Sequence, residues 1–108
     1  MPFQVYITQD AANDLEDIYD CIVHHDVEGK ADDVLDRIER TFEILTENPL
    51  RGAYHKELLD IGIQEYREVF FKPYRIVYRI IDDFVYVLLI ADGRRDMQTL
   101  LQRRLIKA

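Results

Sequence analysis

The sequence has one cysteine, Cys21, so no internal disulfide can form, and the expected setting is a reducing cytoplasm. It has no tryptophan, three prolines and four glycines. That scarcity leaves no Pro/Gly/Ser linker, and the chain has no Walker motif, glycine-rich phosphate loop or Gly-x-Ser-x-Gly. No apolar run approaches the roughly 20 residues of a membrane-spanning helix, so no membrane partner is expected. The opening Met-Pro-Phe-Gln-Val-Tyr lacks a basic segment followed by a long apolar one, so a secretory signal is not expected. Bases are few: 14 Lys and Arg face 21 Asp and Glu, a net charge of −7. As a whole, such a surface repels phosphate backbones.

What is present suits one globular domain spanning 1–108, with 48% hydrophobic and 32% charged residues. The charge is uneven. Residues 1–55 hold 4 basic and 13 acidic side chains, a net of −9, whereas residues 56–108 hold 10 and 8, a net of +2.

Phe3, Val5 and Ile7 alternate with Gln4, Tyr6 and Thr8, the period of a half-buried strand. Thr8 or Asp10 then caps a helix striped with Leu15, Ile18, Tyr19 and Ile22. His24 to Gly29 breaks the pattern. A second stripe, Ala31, Val34, Leu35, Ile38, Phe42 and Leu45, ends at Asn48-Pro49, because the residue before proline avoids the helical region. The two helices read as an antiparallel hairpin. Residues 50–62 read as irregular, with Gly52 and Gly62 at turns.

Three strands follow, about Tyr66 to Phe71, Tyr74 to Ile81 and Phe84 to Ala91, separated by Lys72-Pro73 and Asp82-Asp83. The third is apolar on both faces and reads as central. Asp96 caps a last helix bearing Met97, Leu100, Leu101 and Leu105. The order is βααβββα. It predicts an α+β fold: a small antiparallel sheet, an N-terminal helical hairpin packed on one face, and a short C-terminal helix.

The second strand presents Tyr74, Ile76, Tyr78 and Ile80 on one face and Arg75, Val77, Arg79 and Ile81 on the other. Antiparallel pairing is expected to add Arg67, Val69 and Phe71 to the arginine face. Alternation puts Glu68 opposite Arg67, with Tyr66 and Phe70. Arg94, Arg95, Arg103, Arg104 and Lys107 extend the basic set. Arginine's planar fork binds phosphate or carboxylate at two points. Equally, Glu57, Glu65, Glu68, Asp82, Asp83, Asp92 and Asp96 offer structural partners; that role suits Arg79 and Arg104, while Arg75 and Arg95 stay open to either. His24, His25 and His55 lack metal-ligand spacing and read as surface residues, so neither metal nor cofactor is expected. Cys21 reads as partly buried and unactivated.

Several segments together resemble the RelE/ParE superfamily of toxins from bacterial type II toxin–antitoxin modules. They are Ala11-Ala12-Asn13-Asp14-Leu15-Glu16-Asp17-Ile18, Asn48-Pro49-Leu50-Arg51-Gly52, Glu65-Tyr66-Arg67-Glu68-Val69, Pro73-Tyr74-Arg75-Ile76-Val77-Tyr78-Arg79 and Ala91-Asp92-Gly93-Arg94-Arg95-Asp96-Met97. They run over nearly the whole chain in the family's order, and the family's βααβββα arrangement matches. RelE-like members are implied to cleave mRNA in the ribosomal A site without metal, which would give catalytic roles to Arg67, Arg75 and Arg95. Several carry a tyrosine or histidine in the last segment, where this chain has Met97-Gln98-Thr99-Leu100-Leu101. Leucines cannot move protons.

ParE-like members are implied to share the fold without that set and to trap DNA gyrase by protein–protein contact. The helical ending and the charge of −7 look more like this branch, since an acidic chain binds rRNA weakly. The resemblance therefore implies a ParE-like growth-arresting toxin, with target-binding residues Arg67, Arg75, Arg94 and Arg95. The alternatives are a ribonuclease whose partners are ribosome and mRNA, or a degenerate module that only binds its antitoxin. A cognate antitoxin is the implied partner. Its acidic side chains are expected to pair with the arginines, around Leu15, Ile18, Arg75 and Arg79, and its docking site is expected in the apolar groove between hairpin and sheet edge.

Overall fold

A computed structural model describes residues 3–25, 29–54, 65–71 and 73–107, with only the helical backbone of residues 25, 106 and 107. Gly62, His55, Glu57 and Lys72, named above, lie outside the described residues, as do the side chains of His25 and Lys107. The elements are β1 (Gln4–Ile7), α1 (Gln9–His25), α2 (Lys30–Glu47), a 3₁₀ turn (Pro49–Arg51), β2 (Ala53–Tyr54), β3 (Tyr66–Phe71), β4 (Tyr74–Ile81), β5 (Phe84–Asp92) and α3 (Met97–Lys107). The α+β class and the βααβββα order hold, with one further two-residue strand, β2, paired to Arg67 and Glu68.

The cap of α1 is Thr8, not Asp10: its hydroxyl accepts from the Ala11 amide at 3.2 Å and donates to the Val87 carbonyl at 3.0 Å. Helix α1 runs on through His24 and His25, so the break between helices is shorter than the polar run from His24 to Gly29 suggested. Gly29 starts α2 at φ 89°, a left-handed conformation that glycine adopts without a Cβ penalty. Asn48 ends α2 ahead of Pro49, and Asp96 caps α3 through the Thr99 amide at 3.2 Å.

The sheet order is β1-β5-β4-β3-β2. Its neighbours are antiparallel except β1, which runs parallel to β5 and forms one edge. Strand β4 occupies the middle, while β5 lies between β4 and β1 and is covered on both faces, as its apolar sequence implied. One face packs Ile38, Phe42 and Leu45 of α2 and Ala11 of α1 on Val69, Ile76, Tyr78, Val85, Val87 and Ile90. The other packs Met97 and Leu101 of α3 on Tyr66, Val77, Leu89 and Ala91.

A bulge makes that double coverage possible. Val77 pairs with Leu89 but Tyr78 with Val87, leaving Leu88 as the extra residue. Beyond it the alternation of β5 inverts, so Leu89 and Ala91 turn to α3 and Ile90 stays with the hairpin. The bulge also leaves the Leu88 carbonyl and Ile90 amide beyond the last β1 pair, Ile7 with Val87. Arg104 donates to the Leu88 carbonyl at 2.6 Å, and Asp14 accepts from the Ile90 amide at 3.0 Å. These two side chains also pair with each other at 2.9 Å. One ion pair from α1 and α3 thus stands in for the missing strand, satisfying backbone groups that would otherwise be left unpaired.

Candidate functional site

The β3–β4 register decides which arginines meet. The two-residue connection pairs Phe71 with Tyr74, and by alternation Val69 with Ile76 and Arg67 with Tyr78. Directly paired residues share a face. Arg67, Val69 and Phe71 therefore lie on the hairpin side, and the expectation that they join the face of Arg75 and Arg79 is wrong. That face instead receives Tyr66, Glu68 and Phe70.

Glu68 is 6% exposed, the one buried charged residue among those described. Arg75 grips it with two nitrogens, Nε at 2.9 Å and Nη2 at 2.7 Å. The Arg75 side chain is itself 11% exposed, with the Phe70 ring 5.6 Å from its guanidinium. Gly93 accommodates the Arg75 stem: a Cβ there would come within 2.8 Å of Arg75 Cδ. This fork is consumed inside the protein, in the bidentate geometry that makes such pairs strong.

Of the other arginines, Arg67 and Arg79 line one cavity of about 340 Å³ with Leu50, Tyr54, Glu65 and Ile80, and the rest are dispersed. Arg67 donates to the Gly52 carbonyl at 2.8 Å and lies 4.4 Å over the Tyr54 ring, at the β2 edge. Arg79 reaches Glu65 at 3.4 Å and sits over Tyr66. Arg104 is held by Asp14 and Asp10 of α1, a structural role as expected, though its partners come from the first helix. Arg94 clasps Asp92 at 2.5 Å and remains 81% exposed. That clasp, with the Arg94 amide, lowers the Asp92 carboxyl to about 2. Arg95 is exposed and has no ion-pair partner among the described residues. It lines a cleft of about 230 Å³ with three carboxylates, Asp14, Asp17 and Asp92, and with Cys21 and Tyr74. Burial and the Asp92 charge push the Tyr74 phenol up. Arg104 on Asp14 and Arg94 on Asp92 offset two of these carboxylates, so the charges of the cleft nearly balance and no concentrated cationic site for phosphate forms there.

Arg67, Arg75 and Arg95 thus lie on one sheet face, on the other, and at the end of β5 against α1. No common cradle forms, and the three cannot act on one phosphate together. Cys21 is exposed, not partly buried. Among the described residues no group of three His, Cys, Asp or Glu is placed to hold a metal ion, and no helix is long and apolar enough to cross a membrane.

The four residues expected around the antitoxin also divide. Leu15 lines an apolar groove of about 330 Å³ with Ile7, Ala12, Glu16, Tyr19 and Leu35, between the hairpin and the β1 edge. Ile18 lines the Arg95 cleft around the helix, and Arg75 and Arg79 are on the far face of the sheet. Ile7 and Ala12 were missed as groove residues. Ile7 read as core, yet β1 is an edge strand and leaves it 40% exposed. The far face carries exposed aromatic surface as well: Tyr6, 46% exposed, stacks 5.8 Å from Tyr86 and lies 5.4 Å from Phe84.

The family model of the ParE toxin of type II toxin-antitoxin systems, parDE, matches residues 5–97. No curated protein matches the sequence. Among solved structures, the fold is similar to a chain of the chromosomal ParDE system from P. aeruginosa, at 22% identity and TM-score 0.68, covering 83% of this chain and 95% of that one. A chain of the RelBE2 toxin–antitoxin complex from Mycobacterium tuberculosis gives 23% identity and TM-score 0.60, covering 85% and 99%. A mutant of the E. coli toxin RelE in the free state gives 14% and 0.64, covering 95% and 98%.

Proposed function

Because the chain belongs to the ParE toxin family of type II toxin–antitoxin systems, we propose that it is a toxin that inhibits DNA gyrase by protein–protein contact and is neutralised by a cognate antitoxin. The observation that carries the choice of a protein target is the Arg75–Glu68 pair. A nuclease needs its central arginine open to the scissile phosphate, and here that arginine is nine-tenths buried against a carboxylate. Displacing Glu68 would leave a buried charge without its partner.

A protein target also suits the aromatic cluster of exposed Tyr6 with half-buried Phe84 and Tyr86, since aromatic residues anchor protein interfaces. Arg95, exposed beside the end of β5 and without an ion-pair partner among the described residues, is a cation free to steer the target, with Arg94 exposed beside it though held by Asp92; Arg67 and Arg75 support the surface from within. The antitoxin binds the hairpin groove around Leu15, which offers apolar surface without disturbing the sheet.

Purified protein added to gyrase should inhibit supercoiling and raise the level of cleaved DNA. Absence of both effects sinks the gyrase target. Primer extension on mRNA in a translating extract should show no A-site cuts, and cuts there would establish a ribonuclease instead. Expression should arrest growth, and the product of the adjacent gene should relieve the arrest.

A further inference from the structure

The arginines of this chain led to the expectation of an acidic partner segment, but the groove between the helices carries the opposite charge. Its floor is Ile7, Ala12, Leu15, Tyr19 and Leu35, and Val23, 54% exposed, continues the apolar stripe at helical spacing along α1. From Ala12 to Val23 the stripe runs about 16 Å at 1.5 Å per residue, or three helical turns of a partner. Glu16 lines the groove, and helical spacing sets further exposed carboxylates beside it on both helices. On α1 this is Asp20; on α2 they are Asp32, Glu39 and Glu43, which share the side of Leu35 by helical spacing. All five are exposed. The Tyr19 hydroxyl donates to Asp32 at 2.9 Å and ties the walls together. Of the cations of α2, Lys30 and Arg37 fall on its other side by helical spacing, where Arg37 pairs with Asp33 and lies over Phe71, while Arg40 stands at the outer margin of the wall, three residues before Glu43.

We propose that this groove seats a cationic amphipathic helix, whose apolar stripe fills the floor while Lys or Arg on both flanks meet Glu16, Asp20, Asp32, Glu39 and Glu43. The proposal rests on the toxin reading only in assigning that helix to the neutralising partner. The groove's apolar floor supplies contact area, and its rim supplies sign selectivity: a segment with acidic flanks meets like charge along both walls.

The probe is a labelled synthetic helix of about 18 residues with a Leu/Ala stripe and Lys flanks, beside a twin with Glu flanks. Fluorescence anisotropy on the full chain should show the Lys helix binding at least about tenfold tighter, with the gap narrowing from about 50 to 300 mM salt. The variant Glu16→Gln/Glu39→Gln/Glu43→Gln should weaken the Lys helix about tenfold while keeping the Tyr19–Asp32 bond. A control with the same charge change away from the groove, Asp17→Asn/Glu47→Gln/Asp83→Asn, should change it less than about twofold. Equal binding of the twins, or equal losses in both triple variants, overturns the proposal.

The protein encoded beside this chain is then tested against wild type and Ala12→Trp, which fills the groove from an exposed position. Binding to wild type with at least tenfold loss in Ala12→Trp supports the docking site. Equal binding to both overturns it and leaves the toxin reading standing. Binding to neither removes the toxin–antitoxin reading, and the peptide result alone then decides the groove.

Discussion

Replacing Glu68 by Gln removes the counter-charge of Arg75 while keeping the volume of the side chain. Both groups are withdrawn from water, the carboxylate at 6% exposure and the guanidinium at 11%. Removing one member of such a pair leaves the other charge buried without compensation, at a cost of about 3–5 kcal/mol. For a domain near 100 residues, each kcal/mol moves the melting temperature by about 4 °C or more, so Glu68→Gln should melt roughly 12–20 °C below wild type. Differential scanning fluorimetry followed by circular dichroism measures it. The deficit should persist in high salt, because buried pairs are poorly screened.

The compensated variant Glu68→Leu/Arg75→Met removes both charges and keeps an unbranched stem over Gly93, so most of the loss should return. That variant also carries the functional test. If Arg75 acts only as support, gyrase inhibition survives the exchange. A Glu68→Gln shift below about 4 °C would refute the buried-pair reasoning. Restored stability with abolished inhibition would instead place Arg75 in contact with the target.

Tyr78 is fully buried; its hydroxyl donates to the Pro49 carbonyl at 2.7 Å and accepts from the Gly52 amide at 2.9 Å. Tyr78→Phe should therefore lose about 1–3 kcal/mol in urea unfolding by leaving two groups unpaired, and an unchanged midpoint would refute it. Gly52→Ala should cost more, because its Cβ would overlap the Tyr78 hydroxyl and the Glu68 carbonyl. The Asp92 carboxyl, held near 2 by Arg94, should titrate by carbon-detected NMR close to its ordinary 3.8 in Arg94→Ala. Because the folded-state value is depressed, the stability from this pair is present above about 3.8 and fades as pH falls toward 2. Asp14→Asn or Arg104→Met should speed hydrogen exchange at the Ile90 amide more than at Val85, since the clamp protects only the end of β5 beyond β1; equal acceleration at both would mean global loosening.

Much of the fold was legible because short-range chemistry specifies it. The α2 stripe buries Ala31, Ile38, Phe42 and Leu45 as its spacing predicts, and Thr8, Asn48 and Asp96 mark real helix ends. The parallel β1–β5 pairing was not legible, because nothing in a four-residue strand states which edge it joins. The bulge was hidden for a related reason: Val85 to Ala91 is apolar throughout, so either phase of alternation satisfies its pattern. Only the packing of Leu89 and Ala91 against α3, with Ile90 against the hairpin, reveals where the phase changes.

The site was less legible than the fold, and the cause is parity. Antiparallel strands joined by two residues always pair odd positions of one with even positions of the other, because paired numbers add to one odd sum, as Phe71 with Tyr74 and Arg67 with Tyr78 do. Assigning Arg67 to the face of Arg75 amounts to a register error of one residue, and such an error moves every side chain of a strand to the wrong face. Corrected, it delivers Glu68 to Arg75 and converts an apparent cationic surface into an internal ion pair. The charge asymmetry then takes a different meaning. The slightly basic second half spends its arginines on Glu68, Glu65, Asp92 and Asp14, whereas the acidic first half keeps its carboxylates exposed along the hairpin. Among the described residues, the charge left to meet a partner at the groove is negative, and selectivity there depends on the sign of the segment that enters it.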